Sequence, residues 1–115
     1  MSSSREKAEF KRDVREWAKK LDVKVNAITL RAMKHKWASC STEGNLTFNT
    51  EVLAFDEDVR DYVIVHELLH FAAPNHGRLW KSLMRAHLGD YESLHRRLRQ
   101  AGNTPSLAAA EGADR

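Results

Sequence analysis

Apolar positions set the first expectations. Phe10, Val14, Trp17 and Leu21 recur at i, i+4, i+7 and i+11, one stripe at helical period, which predicts an amphipathic helix over residues 3–21. Ser3 and Glu6 stand at capping-box spacing at its start. The period then changes. Ile28, Leu30 and Ala32 alternate with Thr29, Arg31 and Met33, the pattern of a strand. Trp37 to Cys40 reads as a second short extended piece, Thr42-Glu43-Gly44-Asn45 as a turn, and Leu46 to Asn49 as a third strand. The three runs predict a small antiparallel sheet.

The helical pattern resumes after Asp56, an N-cap candidate followed by Glu57 and Asp58, acids that favour a first turn. Tyr62, Val63, Val65, Leu69 and Ala73 fall on both faces, so this helix should be largely buried, run to about Ala72 and stop at Pro74. Residues 78–88 predict a further helix with Leu79, Leu83 and Ala86 on one side, ended by Gly89. Tyr91 to Ala101 predicts a last one, bearing Leu94 and Leu98 and closed by Gly102. The expectation is one domain over residues 1–102 and a disordered tail over 103–115.

Composition narrows the class. A chain of 115 residues, 42% apolar and 30% charged, has room for one small core and excludes collagen-like and wholly disordered chains. Cys40 stands alone, which rules out an internal disulfide and a four-cysteine zinc ribbon. The first twenty residues are densely charged and lack the apolar h-region of a signal peptide. The longest purely apolar run is about four residues, against about twenty for a membrane span. A cytoplasmic protein without membrane contact is expected.

Charge is uneven. Residues 1–40 hold eleven Lys or Arg and five Asp or Glu, residues 41–76 one and seven, and residues 77–115 seven and four. The basic N-terminal third reads first as a solvated helix face. Its alternative is a surface that attracts nucleic acid or nucleotide phosphates, although no P-loop, G-x-G-x-x-G or aromatic RNA-binding pattern accompanies it.

The chemistry concentrates in His66-Glu67-Leu68-Leu69-His70, followed by Phe71-Ala72-Ala73-Pro74-Asn75-His76. Histidines four residues apart on a helix lie on one face, so both rings reach one ion. Glu67 sits on the same side, placed to contact a metal-bound water rather than the metal. This is the H-E-x-x-H arrangement. Imidazole nitrogens suit Zn2+, and three protein ligands with one open position define a catalytic site. His76, just past Pro74, is the natural third ligand. Zinc would lower the pKa of its water and polarise a carbonyl or phosphoryl oxygen, with Glu67 as general base. Asp61, Asp90 and Glu92 are candidates to orient the histidine rings.

The other residues have plainer readings. Trp37 and Trp80 read as packing residues, Cys40 as a small buried hydrophobe, and Asn49 and Asn75 as turn and cap residues. Tyr91 reads as an interface tyrosine. His35, His87 and His95 read as surface or hydrogen-bonded histidines, and Arg96, Arg97 and Arg99 as a solvated face. Lys34, Lys36 and these arginines would be the first contacts for a phosphate.

Several separated motifs in order resemble the YgjP-like metallopeptidase family, an M48-type, zincin-like group. They are Met33-Lys34 and Lys36-Trp37-Ala38-Ser39-Cys40-Ser41, Gly44-Asn45-Leu46 with Phe48-Asn49, Tyr62 through His70, and Pro74-Asn75-His76 with Leu79-Trp80. They span roughly residues 28–98. Ala38 replaces the family's usual Gly and Leu79 its Phe, neither of which touches the zinc motif. The family's usual longer N-terminal region corresponds here to one helix and one strand. The third-histidine spacing also matches metzincins, but Ala73 stands where they carry Gly. SprT-like DNA–protein crosslink proteases are a more distant resemblance.

The resemblance implies an α+β zincin-like fold, a small antiparallel sheet packed on the active-site helix with flanking helices. It implies His66, His70 and His76 as zinc ligands and Glu67 as the catalytic residue. A zinc-dependent peptidase acting on a peptide or protein is the expected function. The alternatives are a nucleoside-triphosphate pyrophosphatase acting on UTP at the same zinc site, and a zinc-stabilised nucleic-acid or partner-binding module without catalysis.

Overall fold

The computed structural model describes residues 2–34, 36–72 and 77–100, excluding the side chains of Ser2, Ser3 and Ala72. Helix α1 spans Ser2–Leu21. Phe10, Val14 and Ala18 bury its apolar stripe, with Trp17 and Leu21 packed at its margin. The capping role read for Ser3 lies outside the described residues. At the other end Val23 N–H donates to the Ala18 carbonyl at 2.8 Å and Asp22 N–H to the Lys19 carbonyl at 3.2 Å. This is a Schellman closure, with Asp22 at φ 59°, a region that short polar side chains tolerate.

Strands β1 (Ile28–Arg31), β2 (Ala38–Cys40) and β3 (Leu46–Asn49) form one sheet in the order β1-β3-β2. The three runs are where the alternation placed them, but the sheet is mixed rather than antiparallel. β2 pairs antiparallel with β3, whereas β1 pairs parallel with β3, Ile28 opposite Leu46. The reason is topological. The tight turn at 41–45 reverses β3 against β2, and the preceding loop had already reversed β2 against β1. Two reversals leave β3 running with β1, on the side that the hairpin leaves open. Gly44 in that turn takes φ 90°, a backbone conformation that side-chain-bearing residues rarely adopt. β3 is the central strand. Its Phe48 meets Phe10 edge-on at 4.9 Å, which seats α1 on the sheet.

A short 3-10 helix, Thr50–Ala54, follows β3 and was not anticipated. Asn49 builds it. Its side-chain oxygen accepts from Glu51 N–H at 3.1 Å, while Nδ2 donates to the carbonyls of Met33 (2.9 Å) and Lys36 (3.0 Å). One buried amide thus caps a helix and holds the β1–β2 loop. Trp37 in that loop is buried edge-on to Phe55, as a packing residue should be.

Helix α2 spans Glu57–Ala72, α3 Arg78–Leu88 and α4 Tyr91–Gln100. The start of α2 after Asp56 and the end of α3 before Gly89 agree with the expected signals, whereas the stops read at Pro74 and Gly102 lie outside the described residues. Every residue of α2 from Tyr62 to Leu69 is buried. It packs against α1, β2, α3 and α4, which explains its lack of a polar face. The buried face of α3 differs from expectation. Leu79 is 58% exposed and Ala86 exposed, while Trp80 and Met84 are buried. Two bulky side chains four residues apart outweigh the smaller Leu79/Ala86 set. Tyr91, Leu94 and Leu98 of α4 face inward. Arg97 ties α4 to the start of α2, donating to Asp58 at 2.7 Å and to Asp56 at 2.6 Å. No helix among the described residues is long and apolar enough to cross a membrane.

Candidate active site

Among the described residues the buried polar or charged side chains are Asn49, His66 and Glu67. Asn49 is accounted for by its three hydrogen bonds. The other two mark the site. His66 is 1% exposed and Glu67 4%, within the continuously buried 62–69 stretch of α2. A buried carboxylate costs several kcal/mol unless charge or hydrogen bonds compensate. His66 Nδ1 and Glu67 Oε2 lie 3.4 Å apart, and the His66 and His70 rings are 5.3 Å apart between centroids.

One ligand atom from each of His66, Glu67 and His70 falls within 4.8 Å of the others. Two imidazoles and a carboxylate this close are a donor set that fits a divalent metal. A cation there would also offset the cost of burying Glu67. His76, expected as third ligand, and Asn75 lie outside the described residues.

Aromatic side chains surround His66. Trp80 meets its ring edge-on at 5.2 Å, and Tyr62 lies tilted at 5.6 Å. Trp80 also packs edge-on to Tyr91 at 5.8 Å. These residues wall a cleft of about 580 Å³ between α2, α3 and α4, with His66 in its lining and Lys81, Glu92, His95 and Arg96 completing the wall. Trp80 is therefore both core and cleft wall. His95 shares a 2.6 Å hydrogen bond, through Nδ1, with the Tyr62 hydroxyl. Burial, helped by Arg99, pulls its pKa below the ordinary histidine value, so the neutral ring is favoured.

The three carboxylates considered for orienting the histidines separate here. Glu92 lines the cleft. Asp61 faces α1, where Trp17 Nε1 donates to it at 3.1 Å, and Asp90 accepts from Ser93 N–H at 3.2 Å at the start of α4. Cys40 packs half-buried beside the core, outside the His66–Glu67–His70 group. The Tyr62–His95 pair was missed. Only the Tyr62 half carried a signal: Tyr62, His66 and His70 stand at i, i+4 and i+8, a single ladder on α2, whereas no spacing marks His95.

Residues 1–101 match the YgjP-like, metallopeptidase domain family. The chain belongs to that family. As a YgjP-like domain it is a metallopeptidase-like hydrolase. Two solved structures are similar. The metallopeptidase zymogen jannalysin of Methanocaldococcus jannaschii is 29% identical, with a TM-score of 0.73 over 80% of this chain and 95% of that chain. The metallopeptidase zymogen abylysin of Pyrococcus abyssi shares the fold at 24% identity, with a TM-score of 0.70 over 83% of this chain and 97% of that one. No curated protein matches the YgjP-like chain significantly.

Proposed function

We propose that this chain is a zinc-dependent peptidase that uses Glu67 as its general base. The observation that carries the reading is the meeting of His66, Glu67 and His70 on one buried helix, in a chain of a metallopeptidase family. His66 and His70 would hold the metal, with His76 as the third ligand. Bound zinc would supply Lewis acidity, activating a water and polarising a carbonyl. The chain's own residues do the rest. The Glu67 carboxylate takes the proton of the attacking water and returns it to the leaving amine. Trp80 and Tyr62 pack against the His66 ring and help to fix its orientation. The cleft beside His66 receives a side chain of the polypeptide substrate.

The test is elemental mass spectrometry of the wild-type chain and of His70→Ala, with cleavage of an unfolded protein measured alongside Glu67→Gln. About one zinc per chain is expected in the wild type, and a marked loss in His70→Ala. Glu67→Gln should keep the metal and lose cleavage by a hundredfold or more. A chain that takes up no zinc when supplied with it overturns the reading. Pyrophosphate released from UTP, with no peptide cleavage, would replace it by the nucleotide alternative.

A further inference from the structure

Helix α3 carries a buried edge and a separate cationic one. Trp80 and Met84 enter the core. Arg78, Lys81 and Arg85, at i, i+3 and i+7, share a different face within about 60° of arc. With Ser82 and Ala86 they line a shallow groove of about 410 Å³. No acidic residue occurs in α3. None of the three cations has a carboxylate within ion-pair distance among the described residues.

The groove joins the cleft beside His66 at two points. Lys81 lines both concavities. The Arg85 guanidinium lies over the ring of Tyr91, 5.5 Å from its centroid, and Tyr91 walls the cleft. That cation–π contact holds Arg85 at the junction. A chain leaving the cleft past Lys81 therefore enters a track of three cations. Arg96 adds a fourth at the cleft wall, against one acid, Glu92.

We propose that this groove extends the substrate site and takes the acidic residues of a polypeptide substrate, so that the peptidase selects peptides carrying Asp or Glu beside the bond it cuts. The inference rests on the peptidase reading given above. Unpaired cations arranged along a helix complement carboxylates spaced along an extended chain. A nucleic acid fits less well. Single-strand binding needs exposed aromatic rings on which bases stack, and Trp80 and Tyr91 are buried.

The experiment uses the wild-type full chain and labelled peptides of one length that are Glu-rich, Gln-rich or Lys-rich. Initial fluorescence anisotropy reads binding, and mass spectrometry reads cleavage of the same peptides. Each exposed cation contributes about two- to fivefold, so the Glu-rich peptide should bind about tenfold tighter than the Gln-rich one at low salt. The advantage should shrink as salt rises. Arg78→Glu with Arg85→Glu should remove it, with circular dichroism as the check on folding and Arg78→Gln with Arg85→Gln as the second variant. Equal affinity for the Glu-rich and Gln-rich peptides overturns the proposal, as does a preference that survives in both double variants. Tighter binding of an oligonucleotide of equal charge also overturns it. Cleavage without charge preference would sink the groove and leave the peptidase. Preference without cleavage of any peptide would sink the peptidase and leave an anion-binding groove.

Discussion

Replacing Asn49 by alanine removes a side chain that is 1% exposed and makes three hydrogen bonds, two as donor and one as acceptor. Each such bond is worth about 0.5–1.5 kcal/mol net, and more when the partner is left unsatisfied in the interior. The loss should come to about 3 kcal/mol, enough to lower Tm by on the order of 10 °C or more in a domain of this size. The damage has a place. The Met33 and Lys36 carbonyls lose their donor, so the β1–β2 loop loosens and carries Trp37 away from Phe55. Asn49→Asp sharpens the test. It keeps an acceptor for Glu51 N–H but turns an oxygen toward two carbonyls, so it should cost at least as much despite its matching shape. Urea unfolding followed by tryptophan fluorescence measures both, with an unchanged m-value expected. A cost below about 0.5 kcal/mol for Asn49→Ala would refute the reasoning, because the two carbonyls would then have to find other donors at little expense.

Two further predictions concern charge. Arg97 holds the Asp58 carboxyl below its ordinary pKa, chiefly through its hydrogen bond. A lowered carboxylate contributes stability above its unfolded pKa that is lost as pH falls through the folded one. Arg97→Ala should therefore lower Tm at neutral pH, by less in high salt, and should remove that part of the acid-side loss. Asp61 is the opposite case. Burial raises its pKa, opposed by the Trp17 hydrogen bond and reinforced by Glu57 and Asp13. The native state then takes up its proton before the unfolded chain does, so this term gains stability as pH falls through the folded pKa. Asp61→Asn keeps an acceptor for Trp17 Nε1. It should equal or exceed the wild type in stability at neutral pH, and thermal melts across the acid range should lack that gain.

Much of the fold was legible because local signals agreed with one another. Glu57 and Asp58 at the start of α2, Gly89 after α3 and the 42–45 turn each carry a local physical reason, and the boundaries followed from them. Strand direction was not legible. The sheet's alternation says which face is buried but not which neighbour a strand takes, and β1 reaches β3 past β2. The inward face of α3 was misjudged for a similar reason. Leu79, Leu83 and Ala86 and the Trp80/Met84 pair are both acceptable stripes, and only packing against α2 and α4 chooses between them. In the candidate site, the meeting of His66, Glu67 and His70 was legible because helix geometry alone brings them together. The cleft wall was not legible. Trp80, Tyr91 and His95 come from two other helices, and their meeting with Tyr62 depends on how α3 and α4 fold back.

Among the described residues the cleft draws its walls from a single stretch of sequence, between Tyr62 and Arg96. Docking α4 on α2 nonetheless closes long loops, because Tyr62 and His95 stand 33 residues apart and Asp56 and Arg97 41. The sheet encloses shorter stretches, pairing Cys40 with Leu46 and Ile28 with Leu46. Closure entropy rises with the length of chain enclosed, and contacts local in sequence form sooner. The order of assembly should therefore place the sheet ahead of the docking of α4 on α2. Amide protection in pulse-labelled refolding should appear earlier across β2 and β3 than across α4. A destabilised chain should open from α4, exchanging its amides while those of β3 stay closed.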